Sequence, residues 1–192
     1  PLGLLICFGR MAKNPIVSWI FRIYISVMRG TPLMLQLFVV FFGPYYIFGI
    51  SLSTFGPNWR FIAVVIGFVR NDAAYFAELF RSGISSVPVG QNEAARVLGY
   101  TRGQTFLRII LPQMVRRVMP TVTNETITLV KDTSLAFSIG VIEMFTQAKQ
   151  LANSLTNLMP FVAAGIFYYV FNFLVAFIME RIEKKLNYYS IR

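Results

Sequence analysis

The sequence predicts an all-α polytopic membrane protein with about five transmembrane helices, and three observations support this prediction. First, 56% of the 192 residues are hydrophobic, only 14% are charged and the mean hydropathy is +0.60, which is high for a soluble domain. Second, apolar segments recur at about the length that a helix needs to cross a bilayer. Third, the basic residues concentrate in alternate connections between these segments. No linker or long charge run interrupts the chain, so we expect one transmembrane domain over residues 1–192.

The apolar segments define the predicted helices in order along the chain. The first, at 1–9, begins without an initiator methionine and is expected to be the end of a truncated helix. The next four lie near 32–50, 59–80, 113–133 and 161–180. The segments at 32–50 and 161–180 are almost continuously apolar, whereas the two between them contain charged residues.

The connections predict the orientation of these helices. One set of connections contains fourteen of the eighteen basic residues: Arg10, Lys13, Arg22, Arg29, Arg81, Arg96, Arg102, Arg108, Arg116, Arg117, Arg181, Lys184, Lys185 and Arg192. The opposite set, 51–60 and 134–160, contains Arg60 and Lys149. Because cytoplasmic connections are enriched in Lys and Arg, the first set and the C-terminus are expected in the cytoplasm. Aromatic residues near the helix ends agree with an interfacial belt: Tyr45, Tyr46, Trp59, Tyr188 and Tyr189.

Several function classes are disfavoured by residues that the sequence lacks. With no histidine and a single cysteine, Cys7, the usual zinc sites, histidine acid–base catalysis and an intramolecular disulfide are not expected. The sequence has neither a glycine-rich phosphate loop nor a nucleophile and base pair, so we expect no enzymatic activity, no ATP hydrolysis by this chain and no cofactor. The net charge of +10 does not indicate nucleic-acid binding, because the basic residues alternate with hydrophobic segments.

The longest cytoplasmic connection, residues 85–112, predicts two short helices with a break between them. Pro88 and Gly90 punctuate its start, Gly99 suits the position just after a helix, and Thr101 suits the cap of the next helix. A short amphipathic helix in such a connection can dock in a groove of a soluble partner.

The same connection carries a family signature. Glu93-Ala94-Ala95, Gly99, Ile109 and Leu111-Pro112 have the spacing of the EAA motif, and the chain resembles the importer permeases of the ATP-binding-cassette (ABC) superfamily. Four further segments resemble the polar amino-acid uptake permeases: Arg29-Gly30-Thr31-Pro32-Leu33, Ala74-Tyr75-Phe76-Ala77-Glu78, Arg81-Ser82-Gly83-Ile84 and Lys131-Asp132-Thr133-Ser134-Leu135.

This resemblance, which extends along nearly the whole chain, implies the type I importer fold and a location in the bacterial inner membrane. It implies that Glu93, Ala94, Ala95 and Gly99 belong to a coupling helix seated on an ATPase. It also implies the partners, which are two ATPase subunits, a second permease chain, identical or related, and an external substrate-binding protein that delivers an amino acid.

Polar residues within the predicted helices are candidate substrate ligands, because charges in a membrane usually face a cavity or a partner. They are Asn71, Asp72, Glu125, Lys131, Asp132, Thr133 and Ser134. Glu125 and Asp132 share one helix face, and Thr133-Ser134 predicts a helix break of the kind that transporters place at substrate sites. The alternative is that Lys131 and Asp132 form a buried structural pair and that the hydroxyls satisfy the turn.

The charge balance within these helices indicates the substrate class. Glu78 is excluded from this balance, because it lies near the inner end of its helix and within reach of Arg81 three residues later. The carboxylates of the membrane interior are then Asp72, Glu125 and Asp132, and the basic residues are Arg70 and Lys131. The excess carboxylate would be neutralised by a cationic amino acid, namely arginine, lysine or histidine, with Asp72 or Glu125 as its counter-ion. Alternatively, Arg70 pairs with a carboxylate and closes or staples the permease. The alternative substrates are glutamine and glutamate. A channel or a membrane scaffold is less favoured, because the polar residues cluster at one depth.

Overall fold

The computed structural model describes residues 1–186, and in this part of the chain the regular structure is helical, which confirms the all-α prediction. The α-helices are α1 (Leu2–Arg10), α2 (Pro15–Gly30), α3 (Leu33–Phe48), α4 (Trp59–Ser85), α5 (Val89–Val97), α6 (Arg102–Thr105), α7 (Leu111–Asp132), α8 (Met144–Leu155) and α9 (Met159–Leu186). Shorter elements are the 3₁₀ segments Leu52–Phe55 and Thr133–Ile139 and the π-helical turn Phe106–Ile110. The predictions for Tyr188, Tyr189 and Arg192 lie outside the described residues.

A helix occupies each of the five predicted apolar segments, namely α1, α3, α4, α7 and α9. Of the described helices, α9 is long and apolar enough to cross a membrane alone, and α2 with α3 would count as a second span if their bend of 111° is a break in one span. The other helices at predicted spans are too short or too polar to meet this criterion alone. Helix α3 has 16 residues and is about 24 Å long, and α4 and α7 carry charged side chains.

Helices α2 and α8 correct the sequence prediction, which treated both segments as connections. Neither segment contains enough consecutive apolar residues to suggest a span, but both have amphipathic spacing. In α8, Ala148 and Ala152 are buried four residues apart. In α2, Ile16, Trp19 and Ile23 form an exposed apolar stripe. In both segments apolar residues therefore recur every three to four residues in the sequence, which is the spacing of an amphipathic helix.

The chain divides into two compact units, each built from segments that are distant in sequence. The first unit contains residues 1–25 and 73–125 and the described residues from 177 onwards. Within it, α4 and α7 approach closely at Gly83, because a Cβ there would lie 2.4 Å from Val118 Cγ1 and 2.9 Å from Met114 Cγ. Cys7, on α1, is completely buried.

The second unit contains residues 26–72 and 126–176. Its buried core comprises Leu37, Phe41, Ala63, Phe68 and Ile139. These residues bring together α3, the first half of α4 and the 3₁₀ segment that follows α7. The Trp59 indole donates a hydrogen bond to the Phe41 carbonyl at 3.2 Å and ties the start of α4 to α3.

The predicted helix break after Asp132 is confirmed. Helix α7 ends there, and the backbone continues as the 3₁₀ segment Thr133–Ile139. This segment ends at Gly140, whose φ of 81° lies in the left-handed region that favours glycine. The change of helix type leads the chain into the loop before α8.

Candidate functional site

A cavity of about 500 Å³ lies within the second unit, between α4 and the chain that follows α7. Apolar side chains, including Phe61 and Phe68, make up most of its lining. Among the described residues, its polar lining consists of Asp72, Thr133 and Glu143. Its volume and its few convergent polar groups are typical of small-molecule binding sites.

Thr133 contributes a hydrogen-bond acceptor to this cavity. Its hydroxyl donates to the Val130 carbonyl at 2.7 Å, and the Ser134 hydroxyl donates to the Lys131 carbonyl at 2.9 Å. Both hydroxyls therefore stabilise the end of α7, as the structural alternative anticipates. Because the Thr133 hydrogen is already donated, its oxygen can accept from an ammonium or guanidinium group but cannot also donate to a carboxylate.

Glu143 is a cavity residue that the sequence analysis missed. It caps α8, since one carboxylate oxygen accepts from the Phe145 amide at 2.7 Å and the other from the Thr146 amide and hydroxyl at 2.7 and 2.8 Å. The Tyr168 hydroxyl also donates to it, at 3.4 Å. Glu143 and Thr133 also line a neighbouring cavity of about 310 Å³ next to α9. An acidic residue directly before an amphipathic segment was the available signal.

Replacing Glu143 with Ala is expected to lower the free energy of unfolding by about 1–2 kcal/mol, because it removes the cap from two backbone amides. Thermal unfolding of the purified protein measures this loss. The control is Glu143→Gln, which keeps a side-chain oxygen acceptor and should lose less than half as much stability. An unchanged unfolding temperature in Glu143→Ala would contradict the capping role.

Asn71 is adjacent to Asp72 in sequence but is not a lining residue of the cavity. It is buried, and its amide donates to the Met28 carbonyl and to Gln36 Oε1, both at 3.1 Å. The Gln36 amide in turn donates to Met28 and Thr31 carbonyls at 2.9 and 3.1 Å. Both amide hydrogens of Asn71 thus stabilise the bend between α2 and α3.

The other predicted ligands also lie away from the cavity lining. Lys131 is exposed and Asp132 is half-buried, so they do not form the buried pair that the structural alternative proposed. Ser134 is half-buried, and Glu125 is half-buried in the part of α7 that belongs to the first unit. The structure therefore brings Asp72 and Thr133 together and adds Glu143 to them.

In the segment that carries the EAA residues, the first short helix ends before Gly99 and the next one begins after Thr101, as predicted. Gly99 follows α5 with a φ of 78°, and the Gly99 and Tyr100 amides donate to the Arg96 and Ala95 carbonyls at 3.0 Å each, a Schellman motif. Thr101 caps α6 through reciprocal hydrogen bonds with Gln104.

Helix α5 is buried on one side and exposed to solvent on the other. Ala95 is completely buried, whereas Glu93 and Ala94 are exposed. At the end of the helix, Val97 is 88% exposed and Leu98 is 74% exposed. Exposed apolar side chains at the end of a short helix that is closed by a Schellman motif form a surface suited to a protein partner.

The chain is similar in sequence and structure to known transport proteins. Residues 1–188 match the family model described as binding-protein-dependent transport system inner membrane component. The chain is 38% identical to the L-cystine transport system permease protein TcyB of Bacillus subtilis, over 98% of this chain and 78% of the relative. It is 36% identical to the arginine transport system permease protein ArtQ of Bacillus subtilis, over 97% of this chain and 83% of the relative. It is 33% identical to a putative glutamine transport system permease protein GlnP of Rickettsia bellii, over 96% of this chain and 83% of the relative.

A solved structure shows the same fold. A crystal structure of an amino acid ABC transporter with histidines matches with a TM-score of 0.83 and 30% identity, over 96% of this chain and 83% of that chain.

Proposed function

The chain belongs to the family of binding-protein-dependent transport system inner membrane components, and from this premise we propose that it carries a cationic amino acid across the membrane. At the coarser level it is the permease subunit of an amino-acid ABC importer, in which a separate ATPase hydrolyses ATP. The proposed substrates are arginine, lysine and histidine. Relatives are named for cystine, arginine and glutamine, so the choice among substrates depends on the site.

The observation that supports a cationic substrate is the charge of the cavity. Asp72 and Glu143 line the same mostly apolar space, and the Thr133 oxygen is available there as an acceptor. Negative groups with apolar walls create a potential that favours cations. In arginine or lysine the α-ammonium and α-carboxylate charges offset each other, and the charge of the side chain remains to interact with Asp72.

The proposed ligands are therefore Asp72 and Thr133, with Glu143 as an added negative group. Asn71 is better explained as a structural residue, because its two amide hydrogens are donated to Met28 and Gln36. The sequence predictions for Glu125, Lys131, Asp132 and Ser134 stay predictions, since these residues can contribute only outside this cavity lining.

Energy transfer is proposed to pass through Glu93, Ala94, Ala95 and Gly99. The support is the capped helix α5 with its exposed apolar end. The fold implies ATPase partners, and we propose two of them, together with a second permease chain and an external binding protein. We also propose that the C-terminus lies in the cytoplasm and that residues 1–192 form a single transmembrane domain.

Competition binding tests the substrate class. Labelled arginine is bound to the purified permease and ATPase complex and displaced by unlabelled lysine, histidine, glutamine or glutamate. We expect the basic amino acids to compete at least tenfold better than the others. A tenfold difference in affinity corresponds to about 1.4 kcal/mol, which the charge interaction with the cavity would supply. If glutamine or glutamate competes best, the alternative substrate class is supported. If nothing binds, specificity does not reside in this subunit.

A further inference from the structure

A separate, polar cavity of about 340 Å³ lies in the first unit, between the ends of α1 and α4 and the first half of α2. Arg10, Arg22 and Arg81 line it together with Ser18 and Ser85. We propose that this arginine cavity holds the phosphate headgroup of an acidic membrane phospholipid. This lipid is a different ligand from the transported amino acid, and its binding does not depend on the identity of the substrate.

Two of the three guanidinium groups are positioned by a single carboxylate. Arg10 Nη1 lies 3.1 Å from one Glu78 oxygen, and Arg81 contacts the other oxygen through Nε at 3.0 Å and Nη2 at 2.5 Å. The contact between Glu78 and Arg81 is the one that their spacing of three residues predicts. The Ser18 hydroxyl donates to the Arg10 carbonyl at 2.7 Å and holds the end of α1 in place.

The charge of this cluster favours an anion. Three guanidinium groups share the cavity, and Glu78 supplies one negative charge against them. Arginine presents five N–H donors in a planar fork that matches the geometry of phosphate oxygens. Arg10 and Arg81 use only part of this capacity in the Glu78 contacts described above, and Arg22 adds a further guanidinium from α2. A phosphate group can therefore accept from several arginines at once.

The exposed apolar face of α2 favours a lipid over a soluble anion. On α2, the helix that supplies Ser18 and Arg22, the apolar side chains of Ile16, Trp19 and Ile20 are 69%, 63% and 55% exposed. Helices with an exposed apolar stripe and adjacent arginines lie in the membrane interface, and tryptophan prefers the level of the headgroups. Ser18 and Arg22 lie on a different face of α2 from Ile16 and Ile20, so in a helix that lies in the interface the acyl chains cover the apolar face while the headgroup occupies the arginine cavity on the polar side. A free phosphate ion would leave the stripe exposed.

Native mass spectrometry of the purified permease and ATPase complex tests the proposal by titration with phosphatidylglycerol or phosphatidylcholine. We expect phosphatidylglycerol to be retained preferentially, and Arg22→Gln to weaken its retention about fivefold, the scale of one basic contact with an anionic headgroup. Arg102→Gln is the matched control, because it removes the same charge from an exposed position outside the cavity. Arg22 is the residue of choice because Arg10 and Arg81 also stabilise the fold through Glu78.

Further variants distinguish a phospholipid headgroup from a soluble phosphate ion. Ile20→Gln should weaken retention of phosphatidylglycerol without changing the binding of inorganic phosphate, whereas a soluble phosphate site would be insensitive to this change. Equal retention of both lipids, or equal losses in Arg22→Gln and Arg102→Gln, would overturn the proposal. Loss of the ATPase subunit from Arg22→Gln, with lipid retention unchanged, would assign the cavity to an acidic segment of the protein partner instead.

Discussion

Replacing Asp72 with Asn is expected to weaken arginine binding about 10- to 100-fold, because a hydrogen bond to a charged group contributes about 1.5–3 kcal/mol. Asparagine has nearly the same size as aspartate, so the cavity keeps its shape while one negative charge is removed from its lining. Glutamine carries no net charge, and its affinity should change less than about threefold. Equilibrium binding of labelled arginine and labelled glutamine to the purified complex measures both effects.

The matched control for this experiment is Asp132→Asn. Asp132 lies at the end of α7, immediately before Thr133, but is not a lining residue of the cavity. Removing its charge should change arginine affinity less than threefold. If Asp72→Asn weakens arginine and glutamine equally, the charge of Asp72 does not select the substrate. If Asp132→Asn has the larger effect, the substrate binds along α7, as the sequence alone suggested.

Replacing Asn71 with Leu is expected to lower the free energy of unfolding by about 2–3 kcal/mol. The change removes both amide donors and leaves the buried Gln36 Oε1 without the hydrogen bond from Asn71, and an unsatisfied buried polar group costs about 1–3 kcal/mol. The rest of the loss comes from fitting a branched apolar side chain among polar groups. Chemical unfolding of the purified protein measures the difference.

Two further variants show whether this loss belongs to the hydrogen-bond network. Asn124→Leu makes the same change at an exposed position of α7 and should change stability by less than about 0.5 kcal/mol. In the double variant with Gln36→Leu, the two losses should not add, because the residues share one network. A stable Asn71→Leu variant with reduced arginine affinity would restore Asn71 as a substrate ligand.

The positions of the apolar helices could be predicted from the sequence. The polar residues that line the cavity could be predicted only in part. Of the seven predicted ligands, the cavity lining contains Asp72 and Thr133. Glu143 was missed because it lies in a predicted connection, where charged residues are common and usually solvated. Its role depends on the start of α8 and on Tyr168, which is 25 residues away in sequence.

Local sequence was sufficient for the helical class, the five apolar segments, the position of Gly99 just after α5, the cap at Thr101 and the break at Thr133. These features depend on side chains within a few residues of one another, so composition and spacing determine them. Tertiary structure alone decided which polar side chains face a cavity. Asn71 and Asp72 are neighbours, yet Asn71 bonds to residues 43 and 35 positions earlier, whereas Asp72 lines the cavity. Adjacent residues on a helix lie about 100° apart, and only the packing of the surrounding helices decides what each of them meets.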